Sequence, residues 1–161
     1  MKSISSIFLK HHFKYVFHFA ACVGVELTLN NPTKVLLDID GFKNIFLLSA
    51  KSKIKHIYFS SSSEVYGEPV HLPQDEKITP LNSRLPYAIV KNVGEAFCKS
   101  YYKAYGLKYT IFRLFNTYGS KQSNNFVINK FLNSALTNKN LRVYGNGRQT
   151  RTFCYIDDTI Q

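Results

Sequence analysis

Apolar and polar positions follow two different periods along this chain, and the switches between them predict its elements. The run YVFHFA at 15–20 is apolar on both faces and has the length of a strand covered on both sides. Small residues follow, then Asn31-Pro32, where proline suits the first turn of a helix. Across 33–52, Val35, Leu36, Ile39, Phe42, Ile45, Phe46 and Leu48 recur at helical spacing. A second buried-type strand at 56–59 runs into four serines. Beyond a polar loop with Pro69, Pro73 and Pro80, the pattern predicts a helix over 86–105 closed by Gly106, then a strand over 109–114. Strand, helix, strand, helix, strand with buried strands argues for a parallel α/β sheet. The remainder changes texture: a helix near 125–136, short strands near 141–144 and 152–156, and a helix opening at Asp157-Asp158.

Composition narrows the function classes. With 45% hydrophobic residues and 15% aromatics, the chain is a folded domain and not a disordered one. The net charge of +11 permits polyanion binding, and its densest stretch is Lys51, Lys53, Lys55 and His56. Lys99, Lys103 and Lys108 fit one exposed helix face and its following loop. No nucleic-acid-binding motif accompanies them, so these charges read as solvated faces and no nucleic-acid partner is expected. Cys22, Cys98 and Cys154 are scattered, form no metal-ligand pattern, and read as reduced, buried thiols. Lys10, His11, His12 and Lys14 interrupt the apolar run that a signal peptide requires. No stretch approaches the roughly 20 apolar residues of a membrane span. The expectation is a cytoplasmic protein with no membrane partner.

Candidate chemistry centres on Tyr87-Ala-Ile-Val-Lys91. Positions four apart share a helix face, so the phenol and the ammonium can meet one ligand. A neighbouring ammonium favours the tyrosinate and would make Tyr87 a better general base. The serines at 60–63, with Glu64-Val-Tyr-Gly67, sit at the C-terminal end of a predicted strand. Ligands bind at that edge of an open parallel sheet.

Taken in order, VFHFAACVGV, NNPTKVLLDIDG, HIYFSSSSEVYGEP, LPYAIVK, FRLFNTYG and VYGNGRQTRTFCYIDD resemble the extended short-chain dehydrogenase/reductases. These form the NAD-dependent epimerase/dehydratase family, which modifies nucleotide-linked sugars. The resemblance implies a partial Rossmann-type parallel sheet over 1–120 that binds NAD, and the start of a small substrate-binding region over 121–161. It matches Tyr87 to the catalytic base and Lys91 to the residue that holds the nicotinamide ribose. Ser62 completes the triad. Phe19, Ala20, Ala21 and Phe115 fall near the cofactor, and Asn116 and Arg151 on the diphosphate of a nucleotide-diphosphate sugar. Glu64 matches a residue acting at the 4-keto stage, and Ser63-Glu64 is similar to the pair in uronate decarboxylases and some GDP-sugar dehydratases. The resemblance implies no metal, and relatives are often homodimers.

The chain also departs from the family pattern. It contains no GxxGxxG turn, so the first strands of the sheet are expected to be absent from this sequence. Asp38 stands where the family has Asn, Phe42 where it has Thr, Ser120 where it has Pro and Asn146 where it has Asp. A carboxylate at 38, near a cofactor, is unfavourable unless solvated or partnered.

Overall fold

The computed structural model describes residues 2–161. The chain divides into two compact units, one ending at Leu114 and the other beginning at Phe115.

The first unit runs α1 (Lys2–Lys10), β1 (Tyr15–His18), α2 (Val25–Asn30), α3 (Pro32–Leu36), α4 (Asp38–Lys51) and β2 (His56–Ser62). A 3-10 turn over Ser63–Tyr66 follows, then α5 (Pro86–Tyr105) and β3 (Lys108–Leu114). The three strands form a parallel sheet in the order β1-β2-β3, and the register aligns Tyr15 with His56 and His56 with Lys108. Helices cover one face. Ile57 and Phe59 of β2 point into a core with Val35, Phe42 and Phe46 from α3 and α4, Val90 and Cys98 from α5, and Phe8 from α1.

Alternation explains the other face. Tyr15 and Phe17 of β1 and Tyr58 of β2 occupy the positions between the core residues, as a period of two demands. Phe17 stacks on Tyr58 at 4.6 Å, and Tyr58 stacks on Phe112 of β3 at 6.2 Å. Phe17 is nonetheless 66% exposed and Tyr15 51%. Among the described residues β1 stands at one end of the sheet order, and it ends at His18, short of the predicted run to 20.

Further differences have local causes. The helix expected over 33–52 is two helices, because the ladder tightens at Leu37 to Leu37 N–H→Lys34 carbonyl (3.2 Å) and Asp40 N–H→Leu37 carbonyl (3.1 Å). Asp38 and Asp40 then stand in the first turn of α4, where carboxylates meet the positive helix end. The serines at 60–62 continue β2 past the predicted 56–59, held by pairing with Phe112, Arg113 and Leu114. Of the cysteines, Cys98 is buried, while Cys22 and Cys154 are half-buried. α5 has the expected bounds: Pro86 opens it, and Gly106 closes it in the left-handed region at φ 68°.

In the second unit, β4 (Asn116–Tyr118) pairs in parallel with β5 (Phe153–Tyr155), accompanied by α6 (Val127–Leu136) and α7 (Ile156–Ile160). The strand expected near 141–144 does not form. Leu141, Val143 and Tyr144 are exposed, and Gly145 and Gly147, both at positive φ, turn the chain before it can pair. No helix of the described residues is long and apolar enough to cross a membrane.

Candidate active site

Three elements meet at the C-terminal edge of the first unit's sheet. β2 delivers Ser60, Ser61 and Ser62, the 3-10 turn presents Glu64, and the first two turns of α5 carry Tyr87 and Lys91. The Ser62 side chain caps the turn by accepting from the Glu64 N–H at 3.2 Å. Gly67, at φ 69°, then lies against the backbone of Asn82 and Ser83, a position without room for a Cβ. That contact ties the polar loop back against the turn.

Lys91 is almost wholly buried. Its Nζ donates to the Ser60 carbonyl at 2.6 Å and lies 5.5 Å from the Phe59 ring centroid and 5.8 Å from that of Tyr87. The Phe59 ring is itself fixed: a Cβ added at Gly94 would run into it, and His18 stacks on it at 5.6 Å. So α5 approaches β2 closely because Gly94 permits it, and that approach sets the Lys91 position.

Burial lowers the Lys91 amine to about 8, opposed by the negative charge of Asp38. Burial likewise raises the Tyr87 phenol above its ordinary value, and the carboxylates of Glu64 and Asp38 push it further. The Ser62 hydroxyl hydrogen-bonds to that phenol and pulls it down. The sequence pattern led us to expect an ammonium that depresses Tyr87. In this structure the amine is committed to Ser60 and costly to charge, while two carboxylates act on the phenol. The structure thus brings Ser62, Tyr87 and Lys91 together, with Tyr87 held in its protonated form.

Asp38 is central to this balance. Its Oδ2 accepts the Cys22 N–H at 2.8 Å, anchoring the loop after β1 to the start of α4. The carboxylate has a partner and a helix N-terminus, which answers the cost of placing it there. It follows that Asp38→Asn should lower both the Tyr87 phenol and the Lys91 amine, since the charge it removes raises each. Titration of ¹³C-labelled tyrosine by NMR, with Tyr87→Phe for assignment, reads the first effect. An unchanged or raised Tyr87 titration would contradict the assigned role of Asp38.

Other residues singled out in the sequence lie near or apart from this cluster. Phe19 and Ala20 are exposed and Ala21 is half-buried, in the stretch that follows β1 at the same sheet edge. Phe115, Asn116 and Arg151 belong to the second unit. There the Asn116 amide donates to the Thr152 carbonyl at 3.0 Å, which places residues 116 and 151 on adjacent strands or their approach. Arg151 is exposed, and its guanidinium donates to the Thr150 carbonyl.

The sequence pattern did not single out a second set of residues behind the serines. Arg113 of β3 donates to both Glu95 oxygens, at 2.9 and 2.7 Å, to the Tyr66 hydroxyl at 3.0 Å and to the Glu76 carbonyl at 3.3 Å. Ser61 donates to Glu95 at 2.6 Å. One guanidinium therefore joins β3, α5, the 3-10 turn and the loop beyond it. Despite burial, the Glu95 carboxyl is held below its usual range by Arg113 and Ser61. The available signal was Glu95 one helical turn beyond Lys91, on the apolar face of α5, and Arg113 inside an otherwise uncharged strand core. His18 was also missed. It is buried between Phe42 and Phe59, and that burial lowers its imidazole below the ordinary value. Among the described residues, no group of His, Cys, Asp and Glu is arranged to hold a metal ion.

Comparison with known proteins agrees with this architecture. A model of the NAD dependent epimerase/dehydratase family matches residues 2–161. The UDP-N-acetyl-alpha-D-glucosaminuronate decarboxylase of Bacillus cytotoxicus is 37% identical over 91% of this chain and 47% of its own. The putative UDP-glucose 4-epimerase of Methanocaldococcus jannaschii is 38% identical over 91% of this chain and 49% of its own. The crystal structure of UDP-glucose 4-epimerase with UDP-glucose from Thermotoga maritima superimposes with a TM-score of 0.93, at 29% identity. It covers 99% of this chain and 53% of that one. The chain thus spans about half the length of the curated relatives it matches.

Proposed function

The chain belongs to the NAD-dependent epimerase/dehydratase family, and on that premise we propose that it carries the catalytic half of an enzyme that oxidises a nucleotide-linked sugar at C4. The observation that carries this reading is the cluster of Ser62, Tyr87 and Lys91 at one sheet edge, with Glu64 on the adjoining turn. In its ionised form Tyr87 takes the proton of the sugar C4 hydroxyl, and Ser62 aligns the two oxygens by hydrogen bonding. When bound, NAD supplies the acceptor for the C4 hydride. The donors fit the nicotinamide end of such a cofactor: Lys91, when charged, has three N–H groups and gives one to Ser60. Phe19, Ala20, Ala21 and Phe115 would line it, while Asn116 and Arg151 would hold the sugar diphosphate, a guanidinium being suited to that anion.

Glu64 separates the possible outcomes. It is exposed on the turn and acts electrostatically on Tyr87, a position from which it can serve the 4-keto stage. Uronate decarboxylation, dehydration and epimerisation all begin with the same oxidation. The Ser63-Glu64 pair favours decarboxylation, while the relatives include a decarboxylase and an epimerase at nearly equal identity.

The test is a chimera in which residues 1–161 replace the matching half of a full-length relative. Incubated with NAD and UDP-glucuronate, it should form a 4-keto product. Failure to form it while NAD binds would show a catalytically silent member of the family. The chain alone, which has no GxxGxxG turn in its sequence, should bind NAD weakly or not at all in calorimetry.

A further inference from the structure

Cations gather at the end of the sheet opposite the candidate active site. The register sets Tyr15, His56 and Lys108 side by side, and the Lys55 N–H donates to the Lys14 carbonyl at 2.9 Å. The beginnings of three strands thus form one edge. Lys10, His11, His12 and Lys14 approach it ahead of β1, and Lys51, Lys53 and Lys55 ahead of β2; Lys103 and Lys108 flank the start of β3. All of these are exposed. No Asp or Glu occurs at 1–25, 41–63 or 96–156, so no acid near in sequence offsets them. Among the described residues the ion pairs are Lys43–Asp40 and Arg113–Glu95, neither of which involves this edge.

Apolar side chains stand among these charges. Leu9, at the end of α1, is 83% exposed, and Phe13, Tyr102 and Tyr105 are exposed too. A shallow hollow lined by His56, Tyr102, Lys108 and Tyr109 opens at the same place. We propose that this edge is a docking surface for an anionic lipid bilayer. Lysines near an anionic membrane each add attraction, and an apolar insertion supplies the second contact that stable association needs. Tyrosines suit the headgroup level, with an apolar ring and a polar tip. A nucleic acid fits less well. The segments that form this edge contain no arginine, so they offer no bidentate phosphate fork. This surface is independent of the proposed chemistry.

The test is co-sedimentation of the chain with vesicles of phosphatidylcholine alone and of phosphatidylcholine rich in phosphatidylglycerol. Binding is expected to the second and not the first, and to fall as salt is raised. At about fivefold per lysine, K51E/K53E/K55E should weaken it at least about 100-fold. K34E/K43E/K77E makes the same change of net charge at exposed lysines of the same unit away from the edge and should cost only a few-fold. K10E/K14E is a second variant at the edge should the triple fail to fold by circular dichroism. Leu9→Ser should weaken binding while leaving its salt dependence unchanged. Absence of binding to anionic vesicles, or equal losses for the edge and control triples, would overturn the proposal. Displacement from vesicles by single-stranded RNA, with RNA binding also lost in K51E/K53E/K55E, would reassign the edge to nucleic acid.

Discussion

Arg113→Ala should destabilise the chain by about 3–5 kcal/mol, the usual cost of removing one partner from a buried ion pair. Glu95 is fully buried, and Arg113 supplies two of its hydrogen bonds. Without the guanidinium, Glu95 keeps only Ser61, and the Tyr66 hydroxyl and Glu76 carbonyl each lose a donor. Arg113→Lys keeps the charge but not the fork, so it should fall between the wild type and the alanine variant. The pair also sets a pH dependence. The folded state holds the Glu95 carboxyl below its ordinary value, so its contribution is present above the unfolded value. That contribution is lost as pH falls through the depressed folded value. Urea denaturation at neutral and acid pH measures both effects. A loss under about 1 kcal/mol for Arg113→Ala at neutral pH would mean that the pair does not support the fold. In Arg113→Ala burial acts on Glu95 without the guanidinium and raises it, so this variant should gain stability as pH falls over the acid range where the wild type loses it.

That network lay beyond what sequence pattern reveals, and the reason is physical. Glu95 and Arg113 are eighteen positions apart on a helix and a strand, and only the packing of α5 on the sheet makes them meet. By contrast, Pro86 and Gly106 announce the ends of α5 through backbone preferences that act locally, and the helix has those bounds. The sequence also located Ser62, Tyr87 and Lys91 at one edge. Strand order and helix periodicity suffice for that, because each residue's position depends on its own element.

Electrostatics was less legible. Four-residue spacing places Lys91 beside Tyr87, but it does not reveal that the amine is spent on Ser60, nor that Asp38 and Glu64 act on the phenol. The short helices α1 and α2 carry too few residues for periodicity to mark them.

In the chimera, Tyr87→Phe should cut sugar oxidation by at least about 100-fold while NAD affinity stays within a few-fold. The phenol oxygen is the proton acceptor, and phenylalanine preserves the ring that lies beside Lys91. The loss therefore falls on the chemical step and not on packing. Because burial and the Glu64 and Asp38 carboxylates keep Tyr87 protonated, wild-type oxidation should rise with pH through neutrality. Asp38→Asn should shift that rise to lower pH. Glu64→Gln divides the pathway at a later point: it should leave the first oxidation nearly intact and block the step that consumes the 4-keto sugar. An undiminished final product from Glu64→Gln would confine Glu64 to the structure of the turn and remove the basis for favouring decarboxylation. Full turnover by Tyr87→Phe would exclude a proton-acceptor role for this phenol, and with it the proposed chemistry of the Ser62, Tyr87 and Lys91 cluster.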